Sequence, residues 1–314
     1  MIPVEWVIDA AKRTQPIIVQ TPVTRDSQLG IYCKWENRQK TGSFKLRGAT
    51  NKVFSLEKLA LEKGLVTCSA GNHGQGVAVA AASQESSCTV FASEHASPVK
   101  VEAMRQLGAD VRLVAGEYVE AEKYAIAYAR TNGKVFISPY NDAQVIAGQG
   151  TIGFELAEQL GGLDEIRSLL VPVGGGGLIS GLGVYLSAVK KRPQLIGVQS
   201  EASAFAHQVF HSGSQCGVVE SDSIAEGLSG EIAHDSITIP LIRQLVDDII
   251  LVSEEEIRAA IRFCWFKYQE RIEGSAAVGL AARLTGKINL NPAMIILTGG
   301  NIQPELFNEI IQSP

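Results

Sequence analysis

Short runs of consecutive apolar residues alternate along the chain with longer stretches whose apolar positions recur at helical spacing. The runs predict strands at 31–35, 65–68, 88–92, 111–114, 169–173, 195–198, 249–252 and 294–297. Between them, helices are predicted over 44–54, 74–82, 99–107, 118–130, 145–160, 178–189, 254–268 and 276–283. Several strands are apolar throughout instead of alternating, as parallel strands covered on both faces must be. Regular alternation of strand and helix therefore predicts an α/β chain, doubly wound, with largely parallel sheets. Ser253 precedes three glutamates, with Glu256 three residues on, which has the form of a capping box. Those carboxylates are accordingly read as structural. The polar stretch 212–223 is expected to be a surface loop.

Composition narrows the setting. The 314 residues carry 28 Lys+Arg against 33 Asp+Glu, a net charge of −5, with 46% hydrophobic and 19% charged residues. A mildly acidic chain has no electrostatic footprint for nucleic acid or an anionic membrane surface. No apolar run is long enough to span a bilayer, and Glu5 and Asp9 interrupt the apolar N-terminus, so no signal peptide is expected. Cys33, Cys68, Cys88, Cys216 and Cys264 are far apart and form no CxxC pair, which points to free thiols in the cytoplasm. Glycine is in surplus at 31 residues, about nine above a typical ~7% usage.

Four segments give that surplus a chemical meaning. In LLVPVGGGGLISG a buried strand runs into Gly174, Gly175, Gly176 and Gly177 before a helix begins. Adjacent residues without Cβ let successive N–H groups converge on one point at a helix's positive end, a phosphate cradle. The spacing is not GxGxxG and no GxxxxGK[ST] occurs, so a phosphate-bearing cofactor smaller than a dinucleotide is favoured. In KTGSFKLRGA, Lys45 follows Phe44 in the first helical turn, where a cation is electrostatically misplaced and its amine is pushed toward the neutral, nucleophilic form. A lysine able to form a Schiff base and a phosphate cradle are the parts pyridoxal phosphate requires.

SAGNHGQG lies between a strand and a helix, and its Ser69, Ala70, Gly71, Asn72 and His73 form a turn whose N–H groups suit a substrate carboxylate. Asn72 could also bond a ring hydroxyl, and His73 is either a general base or a structural hydrogen-bonder. In LTGGN, Thr298 would sit at a strand's carboxyl end, where its hydroxyl could meet a pyridine nitrogen. Glu273 in IEGSAAVG either closes over a cofactor or caps a helix. His207 and His211 are spaced i, i+4 without a nearby carboxylate in the sequence, so no metal site is expected.

Taken together, TGSFKLRGA, SAGNHGQGVA, VIAGQGTI, VPVGGGGLISG, IAEGL and LTGGN occur in the order and approximate spacing of the serine/threonine dehydratase family. The chain resembles these pyridoxal-phosphate enzymes of fold type II from about Thr21 to Asn301; serine racemase is a close relative. The resemblance implies two domains, a large one of residues 1–56 and 143–314 that binds the cofactor and a small mobile one of residues 57–142. It implies that Lys45 is the Schiff-base lysine with Phe44 at the ring and that Asn72 bonds the ring hydroxyl. Glycines 174–177 then hold the phosphate, Gly227 lies against the cofactor, Glu273 is the acidic group near the ring and Thr298 faces the pyridine nitrogen. The loop from Ser69 to His73 grips the substrate carboxylate. A homo-oligomer acting on a small amino acid is expected.

Departures from the family sharpen the activity. Racemases place a serine where this chain has Ala70, and a cation-binding glutamate and aspartate where it has Gln199 and Phe205. Elimination of water from a 3-hydroxy amino acid such as L-threonine or L-serine is therefore expected over racemisation. IEGSAAVG replaces the usual EPSGA, so the substrate preference, 3-hydroxyaspartate and phenylserine included, stays open. The nine glycines at 71, 74, 174–177, 227, 299 and 300 are expected to line one cofactor pocket.

Overall fold

The computed structural model describes residues 2–312. Its ten strands are β1 (Val23–Asp26), β2 (Ile31–Trp35), β3 (Leu65–Cys68), β4 (Cys88–Ser93), β5 (Asp110–Val114), β6 (Val135–Phe136), β7 (Ser168–Pro172), β8 (Gln194–Ser200), β9 (Asp248–Val252) and β10 (Ala293–Leu297). Six form a sheet in the order β1-β2-β10-β7-β8-β9, and four form a second sheet in the order β5-β4-β3-β6. Every neighbouring pair is parallel except β1 with β2. The chain is α/β with two largely parallel sheets, as its pattern predicts.

Alternate residues of the central strands serve opposite cores. Ile295 and Leu297 of β10 join the cluster built with helices Glu254–Tyr268 and Gly274–Leu284, while Met294 and Ile296 join the one under helices Ala143–Leu160 and Gly177–Leu186. Two-sided burial explains why these strands are apolar throughout. Two smaller clusters cover the two faces of the four-stranded sheet.

All eight predicted strands form, with ends shifted by at most two residues. The pattern missed β1, whose VTRD sequence is polar and only half-buried at the sheet edge, and the two-residue β6. It also missed helices Val4–Thr14, Lys58–Lys63, Phe205–Ser212, Thr238–Leu245 and Pro304–Gln312. The capping box at Ser253 is present with both bonds made, and Glu254 accepts from Ser200, Ser223 and the Ile224 N–H.

The glycine surplus divides between two uses, which corrects the single-pocket expectation. A Cβ on Gly148 would stand 2.7 Å from Gly48 Cα, and one on Gly150 would stand 2.6 Å from Gly181 O. These glycines let helices Lys45–Phe54, Ala143–Leu160 and Gly177–Leu186 cross at backbone contact. Gly74 belongs to packing as well, since its Cβ would meet Met104 Sδ at 2.4 Å.

Candidate active site

β2, β10 and β7 are parallel neighbours, so their carboxyl ends open on one edge of the large sheet. Thr298 follows β10 directly, and β7 runs into the four glycines. After β2 the chain returns so that Ser43 bridges Gly299. The Phe44 N–H donates to Thr298 O at 3.0 Å and the Gly300 N–H to Gly42 O at 2.9 Å. These bonds stitch the lysine segment to the segment after β10 and set Lys45 as the first residue of helix Lys45–Phe54.

Lys45 Nζ donates to the carbonyl of Pro139 at 3.0 Å and lies 5.4 Å from the centre of the Phe44 ring. Burial pulls its pKa from 10.5 down to about 8, and the nearby Glu273 carboxylate offsets only part of that. Glu273 is pushed the other way, up to about 6, because burial outweighs Lys100 and a hydrogen bond from Asn72. That bond, Asn72 Nδ2 to Glu273 Oε1, measures 2.8 Å. Glu273 stands at the N-cap of helix Gly274–Leu284, yet its side chain caps nothing there. Its carboxylate is turned to the site.

The glycine loop is fixed from behind. A Cβ on Gly174 would stand 2.9 Å from Leu228 Cα, and one on Gly175 would stand 2.5 Å from the Tyr140 ring. Gly176 takes a left-handed φ of +85°, and helix Gly177–Leu186 starts at the next residue. The backbone N–H groups of residues 174–177 donate to no acceptor among the described residues. Four unpaired donors at one helix N-terminus can receive an anion. Gly227 is tied in through its N–H to Ser275 Oγ at 3.0 Å, and its carbonyl lies 3.0 Å from where a Cβ of Gly174 would be.

The loop after β3 faces the same edge. Gly71 N–H donates to Ser69 Oγ at 3.1 Å, Ala70 is exposed, and Asn72 and His73 open helix Asn72–Ala82 with their N–H groups unpaired among the described residues. Buried His73 pairs Nε2 with Ile137 O at 3.1 Å. Burial and the charge of Lys45 depress its pKa to about 3, so it is neutral and Nε2 is the donor. Of the two roles left open by the sequence, this geometry matches the structural one. Thr298 is buried and its hydroxyl makes no hydrogen bond to the described residues.

Several participants carry no sequence signal. Pro139 contributes a backbone carbonyl, which any residue possesses, and Tyr140 contributes bulk behind the loop. Asn301 donates to Asn72 Oδ1 at 2.7 Å; it ends the LTGGN segment, but nothing in that segment names its partner. His211 does have a carboxylate close by, Asp248 at 3.5 Å, which the linear sequence hides; its Nε2 bonds Ile249 O.

Residues 14–299 match the family described as pyridoxal-phosphate dependent enzyme. The chain belongs to this family. An L-threonine ammonia-lyase of Geobacter sulfurreducens is 36% identical over 99% of this chain and 79% of that protein. The processed form of threonine deaminase isoform 2 from Solanum lycopersicum superposes with a TM-score of 0.89 at 30% identity, covering 98% and 91% of the two chains. Serine racemase from Dictyostelium discoideum gives 0.87 at 33%, covering 96% and 99%. The site fits the cofactor of a pyridoxal-phosphate enzyme. It has a buried amine for the aldehyde, four unpaired N–H donors for the phosphate, and one Asn72 N–H left over for the ring oxygen. Among the described residues, no helix is long and apolar enough to cross a membrane.

Proposed function

We propose that the chain is a pyridoxal-phosphate-dependent ammonia-lyase that removes water from L-threonine or L-serine, leaving a 2-oxo acid and ammonia. The observation that carries this reading is Lys45: a buried amine with its pKa lowered to about 8, beside an anion cradle. At pH 7.5 roughly a quarter of such an amine is neutral, against about one part in a thousand for an ordinary lysine. It can therefore both hold the cofactor and accept a proton at neutral pH. The cofactor, held by Lys45, Asn72 and glycines 174–177, supplies the sink for negative charge at the substrate's Cα. The unpaired N–H groups of Asn72 and His73 receive the substrate carboxylate and orient the Cα–H bond toward Lys45 Nζ. Once the substrate's amine has displaced it, Lys45 Nζ would take that proton and hand it to the β-hydroxyl, which would then depart as water. The enamine released then hydrolyses to the 2-oxo acid and ammonia. Thr298, with a free hydroxyl at the end of β10, would hold the pyridine nitrogen through a neutral hydrogen bond that does not require a full positive charge there.

The serine racemase reading is weaker at one residue. Reprotonation on the face opposite Lys45 needs a second proton-exchanging group, and the loop offers the methyl of Ala70 there. Residues 57–142 form the small domain that moves against 1–56 and 143–314. Its support is polar: Lys100 to Glu226 at 2.6 Å and Asn72 to Glu273 at 2.8 Å are the kind of contact that closes a cleft. A homo-oligomer in the cytoplasm completes the reading; the five free cysteines support the compartment alone. The test is a panel of L-threonine, L-serine, 3-hydroxyaspartate and phenylserine, followed by 2-oxo acid formation and by chiral analysis of residual serine. Turnover of threonine or serine is expected, with Lys45→Ala abolishing both product and the cofactor's visible absorbance. D-serine without 2-oxo acid, or turnover by Lys45→Ala, overturns the proposal.

A further inference from the structure

Asn72 faces two ways. Its Nδ2 donates to Glu273 Oε1 at 2.8 Å, and its Oδ1 accepts from Asn301 Nδ2 at 2.7 Å. An amide can turn over and exchange these atoms at almost no steric cost, so something must fix its sense. Asn301 Nδ2 makes a second bond, to the carbonyl of Thr41 at 2.8 Å. A backbone carbonyl can only accept. Its partner must therefore be the NH₂ end of Asn301, both of whose hydrogens are then committed. The atom of Asn72 that meets Asn301 must in turn be the acceptor Oδ1, which leaves the NH₂ of Asn72 toward Glu273 and the site. The polarity runs one way, from an obligate acceptor at Thr41 through two amides to a carboxylate.

The backbone is shaped for this arrangement. Gly42 has a left-handed φ of +69°, and a Cβ there would lie 2.7 Å from Asn301 Oδ1. Only glycine leaves room for the Asn301 amide beside the Thr41 carbonyl. Three segments separated widely in sequence, at 41–42, 72 and 301, thus meet in one hydrogen-bonded chain.

We propose that Asn301 is a positioning residue, which sets the Asn72 amide so that an N–H, and not the carbonyl oxygen, faces the oxygen on the cofactor ring. The inference rests on the assignment of Asn72 to that ring oxygen. A reversed amide would aim Oδ1 at Glu273 Oε1 and at the ring oxygen, three acceptors with no hydrogen between them. The cost falls on cofactor affinity, because the lost bond is one to an oxygen carrying negative charge.

The experiment is a double-mutant cycle on the holoenzyme, reading the cofactor's dissociation constant by equilibrium dialysis and the pH dependence of its visible absorbance. Asn301→Asp keeps the shape but removes both donors, and should weaken cofactor binding by about tenfold and displace the absorbance titration. In an Asn72→Ala background the same substitution should have no further effect, because the group it positions is gone. A merely structural Asn301 would instead add its full effect in both backgrounds. Asn301→Ala, which leaves Asn72 free to turn either way, should show the same pattern with a loss of about threefold, and serves if the aspartate variant does not fold. Unchanged affinity in the Asn301 variants, or additivity with Asn72→Ala, overturns the inference while Asn72→Ala alone still weakens binding. Asn72→Ala with unchanged affinity overturns the ring assignment itself, and the positioning role with it.

Discussion

Arg47 stands two residues beyond Lys45 and offers the sharpest test of what holds that lysine's helix in place. Its guanidinium, 1% exposed, grips Glu36 at 2.7 and 2.8 Å and Glu155 at 2.8 Å, and Glu36 is itself 0% exposed. Lys34 joins the same cluster through Glu155 and the carbonyl of Thr21. Two cations and two carboxylates balance inside the protein, tying β2 and helix Ala143–Leu160 to the helix that carries Lys45. Arg47→Met fills similar volume but leaves the Glu36 carboxylate buried with only the Thr21 hydroxyl and the charge of Lys34. Breaking one side of a buried ion pair costs about 3–5 kcal/mol. For a chain of this length that lowers the unfolding midpoint by about 5–8 °C.

The pH dependence distinguishes this cause from simple loss of packing. Burial pushes the Glu36 carboxyl up, but the charge and hydrogen bonds of Arg47 outweigh it and hold the pKa below the ordinary 4.5. In the native protein that stabilisation is present above about 4.5 and lost as pH falls through the lower folded value. Without Arg47, burial dominates and the folded carboxyl titrates above its unfolded value. The variant's penalty is then full at neutral pH and relieved as the carboxyl takes up a proton. Thermal unfolding of both proteins at pH 7.5 and pH 5 should show the gap narrowing in acid, and Glu36→Gln should restore part of the loss in the Arg47→Met background. A gap below about 1 kcal/mol, or one that holds constant on acidification, would refute the charge-burial explanation.

Two further outcomes follow from the site. The rate at which the cofactor-free protein recombines with pyridoxal phosphate should rise with pH around a midpoint near 8, since burial of Lys45 lowers its pKa to about 8 and only the neutral amine reacts; a rate still climbing in parallel with an ordinary lysine toward pH 10 would contradict it. Gly175→Ala and Gly174→Ala should both weaken cofactor binding, measured by equilibrium dialysis, because the added methyl meets the Tyr140 ring at 2.5 Å in one case and Leu228 Cα at 2.9 Å in the other. Tyr140→Ala should rescue the first but not the second, since a side chain can be cut back and a backbone atom cannot.

What was legible in the sequence is what depends on local pattern. Strands such as β7 and β10 are covered on both faces, so burial writes an unbroken apolar run that needs no knowledge of partners. Four adjacent glycines between a strand and a helix announce a cluster of unpaired N–H donors for the same reason: the geometry is set within a few residues. β1 escaped because its VTRD sequence becomes a strand only through pairing with β2, and Gly148 was not linked to Gly48 because their contact joins residues distant in the chain.

The sequence by itself therefore determined the α/β class, the lysine segment and the four-glycine loop, together with the family their order resembles. The tertiary structure alone decided what those groups experience. Burial, not the residue type, brings Lys45 to about 8 and His73 to about 3, and it is the Pro139 and Thr41 carbonyls, identical in every residue, that receive the Lys45 and Asn301 donors. A side chain's identity is local, whereas its solvation and its partners are properties of the packed chain.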